Sequence, residues 1–141
     1  MNVLVDANVW SEALRRNQSR EPSTLESSEV RVLRDLILED RVQLIGALRQ
    51  EILSGIREGE RFERFKMKLR SFPDRLIEPE RYEEAAEFFN CCRAKGLQGS
   101  HTDFLICACA IAWKQPILTK DQDFKRYQSL IPIQLLLEGS P

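Results

Sequence analysis

The fold of this chain is decided by its N-terminal stretch Val3-Leu4-Val5-Asp6-Ala7-Asn8-Val9-Trp10. The apolar run at 3–5 predicts a short buried strand, and the apolar spacing over 7–16 predicts an amphipathic helix directly after it. Asp6 stands at the junction between the two. Its carboxylate is therefore expected to point out of the carboxyl end of the strand.

Short apolar runs alternate with helical patterns along the rest of the chain. Further strands are predicted at 42–45, 76–77, 117–118 and 133–137, and helices at 30–38, 48–57, 60–72, 80–94 and from Ser100 or Thr102 to Trp113, with a polar loop at 17–28. Such alternation favours a mostly parallel sheet covered on both faces. The sequence thus predicts an α/β fold with three layers, α/β/α, and a mostly parallel central sheet of four to five short strands. The length of 141 residues fits one domain spanning 1–141.

Composition is that of an ordinary globular domain, with 43% apolar and 30% charged residues, which disfavours disorder and a coiled coil. The 21 basic and 22 acidic residues give a net charge of −1, which argues neither for nor against a polyanionic partner. The segment 61–72 is nevertheless locally basic, with five basic residues and one acidic residue. This segment could meet phosphates, or it could be a solvated helix face.

The four cysteines lack the two-residue gap of zinc and redox motifs, which favours core thiols; they are Cys91, Cys92, Cys107 and Cys109. The chain shows neither a charged, apolar leader nor an apolar run long enough to cross a membrane. We therefore expect a cytoplasmic protein with no membrane contact, in which the thiols are reduced.

Five acidic residues are expected to meet at one edge of the sheet. Asp6, Asp121 and Asp123 follow predicted strands, while Glu51 and Asp103 lie near the starts of predicted helices. Strand ends and helix starts share one edge of a parallel sheet, where open α/β proteins bind their ligands. The sequence therefore predicts an acidic cleft at this edge.

Carboxylates in such a cleft repel one another, by roughly 4 kcal/mol for two charges about 4 Å apart at an effective dielectric of about 20. A divalent cation relieves this repulsion, and protonation of one carboxyl is the alternative when no metal is bound. Oxygen ligands without histidine or cysteine suit Mg²⁺ or Mn²⁺ better than Zn²⁺.

Each acid also has a structural explanation when it is taken singly. Asp6 could be a helix N-cap, Glu51 a surface acid, and Asp121 or Asp123 a turn residue. Asp103 precedes a long apolar helix face, and the dipole at a helix start would stabilise its charge. The combination of the five, rather than any one of them, carries the hypothesis of a metal site.

Four stretches of the chain resemble the motifs of PIN-domain ribonucleases of the VapC toxin type, and together they span nearly its whole length. They are Val3-Leu4-Val5-Asp6-Ala7-Asn8-Val9-Trp10, Leu48-x-x-Glu51-Ile52-Leu53-x-Gly55, Gly99-Ser100-His101-Thr102-Asp103-x-Leu105-Ile106 and Ile117-Leu118-Thr119-x-Asp121-x-Asp123-Phe124. The resemblance implies a single PIN-like domain and a metal-dependent endoribonuclease acting on structured RNA such as transfer RNA. It also implies a small antitoxin partner and a homodimer.

The resemblance assigns a role to each acid. The catalytic set is Asp6, Glu51, Asp103 and Asp121, and the metal ligands are Asp6, Asp103, Asp121 and, as a further acidic position, Asp123. Asp121 is preferred to Asp123 as the direct ligand. Supporting roles in orientation or phosphate contact fall to Asn8, Thr102 and Thr119. The chain departs from the family at Cys107-Ala108-Cys109, where small alanines are more usual, and this affects helix packing rather than the acids.

Two further expectations concern function class and assembly. A receiver-like regulatory module also gathers acids and binds Mg²⁺, but its phosphorylated aspartate and its lysine after the last-but-one strand are not convincingly placed here. For the homodimer, the apolar positions of the early helices provide a candidate surface, made of Trp10, Leu33, Leu36 and Ile37.

Overall fold

The computed structural model describes residues 1–16 and 26–137. Within them the sheet has three strands in the order β2-β1-β3, namely β1 (Val3–Val5), β2 (Val42–Gln43) and β3 (Ile117–Leu118). Val3 pairs with Val42 and Leu4 pairs with Ile117, and both pairings are parallel. The α/β class with a parallel sheet is confirmed.

The described residues form seven helices, α1 (Ala7–Arg16), α2 (Ser28–Leu38), α3 (Gly46–Ser54), α4 (Gly59–Leu69), α5 (Pro79–Ala94), α6 (His101–Trp113) and α7 (Asp123–Tyr127). Helix α1 packs against α2 and α3, α3 packs against α4, and α5 packs against α6. None of these helices is long and apolar enough to cross a membrane.

The centre of the core is β1, whose residues Val3, Leu4 and Val5 are all fully buried. Successive side chains of a strand point to opposite faces of the sheet, so both faces of β1 are covered. A strand buried in this way is continuously apolar instead of alternating. This is why the N-terminal run predicted a buried strand.

The sheet is smaller than the predicted four to five strands. Leu76 and Ile77 do not form a strand, and Leu76 is 90% exposed. The segment 133–137 forms only one bridge, from Leu135 to Ile117, and a second isolated bridge joins Leu44 to Asp74. The last segment is too short to extend because it follows a proline and ends at Leu137, whose φ of 70° is incompatible with a strand.

Helix boundaries differ from the predicted ones where short polar residues decide the start. Helix α2 begins at Ser28, inside the predicted polar loop, because the Ser27 hydroxyl accepts the Val30 N–H at 3.2 Å; residues 17–25 of that loop lie outside the described residues. Helix α3 begins at Gly46. Glu51 therefore lies in the second turn of α3, and the expectation that it is near the helix start was wrong.

The apolar faces of α1 and α2 are used inside the protein, because the two helices pack on each other. Trp10, Leu33 and Leu36 are at most 3% exposed, and only Ile37 among the four proposed dimer contacts reaches the surface. The proposed dimer surface is therefore wrong. Trp10, Leu33 and Leu36 form part of the core cluster instead.

Helix α4 is held against α3 by one arginine. The Arg49 guanidinium donates to the Leu69 and Phe72 carbonyl oxygens and pairs with Asp74 at 2.9 Å. Cationic side chains are favourable at the carbonyl end of a helix. These contacts fix the position of α4 relative to the helix that carries Glu51.

Candidate active site

Asp6 lies at the end of β1 and is 5% exposed. Its Oδ1 accepts the Ala7 N–H at 2.8 Å, and its Oδ2 accepts the Thr119 hydroxyl at 2.7 Å and the Asn8 side-chain amide at 3.3 Å. Both carboxylate oxygens are thus fixed by neighbours from β1–α1 and from the segment after β3.

The segment that follows β3 is held on the same network. The Asn8 Oδ1 accepts the Lys120 N–H at 3.1 Å, and the Thr119 Oγ1 accepts the Asp121 N–H at 3.0 Å. Asn8 and Thr119 therefore position both Asp6 and Asp121. The supporting roles of Asn8 and Thr119 stay a prediction.

Asp103 belongs to the first turn of α6, where it forms a capping box with Ser100. The Ser100 hydroxyl accepts the Asp103 N–H at 3.0 Å, and the Asp103 Oδ2 accepts the Ser100 N–H at 3.3 Å. Ser100 is therefore the N-cap of α6. The sequence had left Ser100 and Thr102 as the two alternatives for this position. Thr102 forms no hydrogen bond to the acids within the described residues, and the exposed His101 ring stacks on Phe89 instead.

Four carboxyls influence one another. Burial raises the pKa of Asp6 from its ordinary 3.8 to about 6 despite its hydrogen bonds, and repulsion from Asp103 and Glu51 adds to the shift. Burial, with repulsion from Asp121, also raises the pKa of Asp103. Glu51 is the most exposed of the four, and partial desolvation together with Asp103 raises its pKa. The structure thus brings Asp6, Glu51, Asp103 and Asp121 into one electrostatic neighbourhood.

Asp123 is oriented differently from the other four acids. Its N–H donates to the Asp121 Oδ1 at 2.9 Å, which places it at the start of α7. Its carboxylate lies 3.9 Å from the Arg126 guanidinium, and about half of the side chain is exposed. Asp121 is the acid of this pair whose charge is a cause of the raised pKa of Asp103.

The acidic group offers carboxylate oxygens as donors. Across residues 1–16 and 26–137, no group of three or more histidine, cysteine, aspartate or glutamate side chains is placed so that it could hold a metal ion. Mg²⁺ commonly binds through one or two carboxylates and keeps several waters, so it does not require three protein ligands. Burial is the main cause of the raised pKa of Asp6, and repulsion from Asp103 and Glu51 adds to it. The oxygen chemistry of the carboxylates suits Mg²⁺ or Mn²⁺.

Residues 3–130 match the family model described as PIN domain. The chain belongs to the PIN domain family. The chain matches no curated protein sequence. Among solved structures, it is similar to VapBC2 from Rickettsia felis bound to a DNA fragment from their promoter, with a TM-score of 0.72 at 17% identity over 96% of this chain and 98% of that chain. It is also similar to FitAcB from Neisseria gonorrhoeae, with a TM-score of 0.67 at 22% identity over 95% and 96% of the two chains.

These matches confirm the family resemblance that the sequence motifs indicated. They show the fold, and they leave the roles of the individual acids in this PIN domain as a prediction.

The sequence did not indicate Tyr127, which supports Asp103 in this PIN domain. The Tyr127 hydroxyl lies 3.1 Å from the Asp103 Oδ2 and 3.2 Å from the Gln98 carbonyl oxygen. Its ring is 1% exposed and packs on Phe104 with centroids 4.9 Å apart. Gly99 provides the space, because a Cβ there would lie 2.2 Å from the Tyr127 hydroxyl oxygen.

A part-buried ion pair between Lys120 and Glu12 is the second feature that the sequence did not indicate. The Lys120 ammonium donates to Glu12, a residue of α1 that is 6% exposed, and the Ser27 hydroxyl donates to the same carboxylate at 2.9 Å. Burial raises the pKa of Glu12, but the bonds from Lys120 and Ser27 lower it below its ordinary value overall. The pair joins α1, the start of α2 and the segment that carries Asp121.

We expect Lys120→Met to destabilise the protein by about 1–2 kcal/mol, because it removes a charge-assisted hydrogen bond to the buried Glu12 carboxylate. Urea unfolding measures this loss. Lys120→Arg, which keeps the charge, is the matched control. In the double variant with Glu12→Gln, the cost should be clearly less than the sum of the two single costs. Additive losses would show that the pair is not coupled.

Asp6 should make the metal-free protein less stable as the pH rises. The Asp6 pKa of about 6 in the folded state exceeds its ordinary 3.8, so the folded state binds the proton more tightly between these values. Stability then falls from about pH 4 to pH 6, by roughly 3 kcal/mol for Asp6 alone. The raised pKa values of Asp103 and Glu51 act in the same direction.

Urea unfolding as a function of pH, in the presence of a chelator, measures this dependence. Asp6→Asn should flatten the curve, and Mg²⁺ should restore stability chiefly at the higher pH values. An equally steep loss of stability in Asp6→Asn would contradict the assignment to Asp6.

Proposed function

We propose that this PIN domain is a metal-dependent endoribonuclease that hydrolyses phosphodiester bonds of RNA and acts as the toxin of a toxin–antitoxin pair. The observation that carries the proposal is the group of four mutually repelling carboxylates around buried Asp6, at the carboxyl edge of a parallel sheet in a chain of this family. A cation and a phosphodiester are the partners that such a group can hold together.

Each acid has a separate task in this proposal. Asp6, Asp103 and Asp121 would hold Mg²⁺ or Mn²⁺, with Asp123 as an outer acidic position. The bound cation would lower the pKa of a coordinated water and offset charge on the leaving oxygen. Glu51, the most exposed of the catalytic set, can accept the proton of the attacking water.

Other residues keep the acids in place. Asn8 and Thr119 fix the Asp6 carboxylate, and Thr119 also fixes the backbone of Asp121. A cleft of about 190 Å³ is lined by Thr119 and Asp121 together with Lys125. Thr102 remains a candidate for phosphate contact on the other side of Asp103.

The receiver-like alternative is not favoured by the structure. Its chemistry needs a lysine that faces the acids from the segment after a late strand. Lys120 stands in that segment after β3, but its ammonium pairs with Glu12.

An RNA cleavage assay with and without divalent cations tests the enzymatic part of the proposal. We expect cleavage of structured RNA, with transfer RNA as the first substrate to try, in Mg²⁺ or Mn²⁺ and none in a chelator. Thermal shift under titration of the cation gives an independent readout of binding. No cleavage of any RNA pool by soluble, folded protein with either cation would reject the ribonuclease proposal.

A small antitoxin partner is proposed from the complexes to which the chain is similar, the VapBC2 and FitAcB assemblies. An arginine from a partner segment could pair bidentately with the acidic group and so compete with the cation. Expression of this chain alone should arrest growth, and co-expression of a small neighbouring partner should restore it. Unimpaired growth at demonstrated soluble expression would count against the toxin role.

We also propose a homodimer, whose contact surface does not include Trp10, Leu33 and Leu36, because these side chains are buried in the core. The large exposed apolar side chains of the described residues include Leu38, Met67, Leu76 and Tyr82. Light scattering at micromolar concentration should therefore give the mass of two chains. A species of 16.4 kDa alone would reject the dimer.

A further inference from the structure

Three cations converge on one aromatic ring of α4. The charged groups of Arg61, Arg64 and Lys68 lie 5.5, 5.8 and 5.6 Å from the centroid of the Phe65 ring. Any two of these charged groups are therefore at most about 11 Å apart, and like charges at such a separation repel one another. The single acidic partner in the described chain is Glu58, 3.6 Å from Arg61. The group carries more positive charge than its neighbours neutralise.

The convergence follows from helical spacing. Residues 61, 64 and 68 recur at intervals of three and four, so they lie on one face of α4. Arg64 and Lys68 are exposed and form no ion pair within the described chain. Arg49 fixes α4 through its contacts with Leu69, Phe72 and Asp74, so the charged face is held in a defined position.

A fourth cation faces the same place from α1. A cleft of about 140 Å³ lies between α1, α3 and α4, where Arg15 and Arg61 line it together with buried Leu14, Ile52 and Phe65. Arg15 is exposed, and its Nε donates only to the Ser11 carbonyl oxygen within the described residues. The cleft is thus lined by buried apolar side chains and by two guanidinium groups.

The cleft adjoins the acidic site through α3. Ile52 lines the cleft, and the preceding residue, Glu51, belongs to the acidic group. Their Cα atoms are about 3.8 Å apart. The acidic site and the cleft therefore share helix α3, whose 9 residues span about 14 Å.

We propose that Arg15, Arg61, Arg64 and Lys68 bind the backbone phosphates of the RNA strand where it leaves the acidic site. This inference rests on the proposed ribonuclease function and adds the surface that holds the substrate. Residues 61 and 68 are separated by about 10 Å along the helix, and Arg15 extends the line onto α1. A polyanion with one charge on each nucleotide matches such a line. Because the net charge of the chain is −1, the chain as a whole does not attract RNA, and a local cluster of this kind must provide the attraction.

RNA binding as a function of salt tests the proposal without requiring turnover. The probe is a short, fluorescein-labelled single-stranded RNA of mixed sequence, and the protein carries Asp103→Asn so that the probe stays intact. The test variant adds Arg61→Gln, Arg64→Gln and Lys68→Gln. Each phosphate contact to a single strand contributes about 0.7 to the slope of log affinity against log salt. We expect the slope to fall by about 2 and the affinity at low salt to fall tenfold or more.

A matched control carries the same loss of charge elsewhere. Arg31, Lys95 and Lys114 are exposed on other parts of the surface, and their replacement by glutamine should leave the slope unchanged. Arg61→Lys with Arg64→Lys keeps the charges and should retain the wild-type slope. Thermal melting of each variant verifies that it is folded.

The outcomes separate this proposal from the proposed function. If the wild-type chain neither binds nor cleaves RNA, the ribonuclease function fails. If the wild-type chain cleaves RNA but the test variant keeps the wild-type slope, only the phosphate surface is overturned. An unchanged RNA slope with lost binding of an acidic partner protein would likewise overturn it in favour of a protein contact.

Discussion

Replacing Asp103 with asparagine is expected to lower RNA cleavage about a thousandfold or more, because cation-assisted stabilisation of a phosphoryl transition state supplies several kcal/mol. Asparagine is nearly isosteric, and its side-chain oxygen can still accept the Ser100 N–H that closes the capping box. The helix start should therefore persist. Cleavage of labelled RNA under matched Mg²⁺ measures the loss.

The same substitution should leave the metal-free protein as stable as the wild type, or more stable. Asp103 raises the pKa of both Asp6 and Glu51, so removal of its charge relieves two repulsions. Asp6→Asn is the companion variant, with the same expected direction in cleavage and stability. The stabilising effect of Mg²⁺ in a thermal shift should shrink in both. Wild-type cleavage by both variants would defeat the assignment of the acids.

The parts of this fold that could be predicted are those fixed by local pattern. Residues 3–5 and 117–118 are continuous apolar runs, and both form buried strands. The meeting of Asp6, Asp103 and Asp121 follows from a general property of parallel sheets, since strand ends and helix starts share an edge. Pattern alone was therefore sufficient to bring these three acids together.

The parts that could not be predicted depend on contacts between distant residues. Lys120 and Glu12 are 108 positions apart, and neither position differs in pattern from a solvated charge. Helix α7 has only five residues, too few for a periodic signal, so its Tyr127 could not be placed beside Asp103. The edge strands were overestimated because short apolar pairs such as Leu76-Ile77 carry no information about pairing partners.

Gly99 is closely packed against Tyr127 and Phe104, so a side chain at this position is expected to affect both stability and activity. We expect Gly99→Ala to destabilise the protein by about 1–3 kcal/mol, the usual cost of overpacking, and to lower RNA cleavage about 10–100-fold. The new Cβ would lie 2.2 Å from the Tyr127 hydroxyl oxygen, 2.8 Å from its Cζ and 3.0 Å from Phe104 Cε2. The Tyr127 ring cannot simply turn aside, because it is buried between Phe104 and Phe124. The substitution must therefore move Tyr127 away from Asp103 or shift the segment that begins α6.

Tyr127→Phe distinguishes crowding from loss of the hydrogen bond. On its own it keeps the ring packing and removes the contact to the Asp103 Oδ2, so it should reduce cleavage more than stability. Combined with Gly99→Ala it removes the closest clashing atom, so the double variant should be more stable than the sum of the single losses predicts. Urea unfolding and cleavage rates of the three variants measure both effects. Wild-type stability and cleavage in Gly99→Ala would show that Tyr127 does not occupy the space beside Gly99, and its role in holding Asp103 would then be lost.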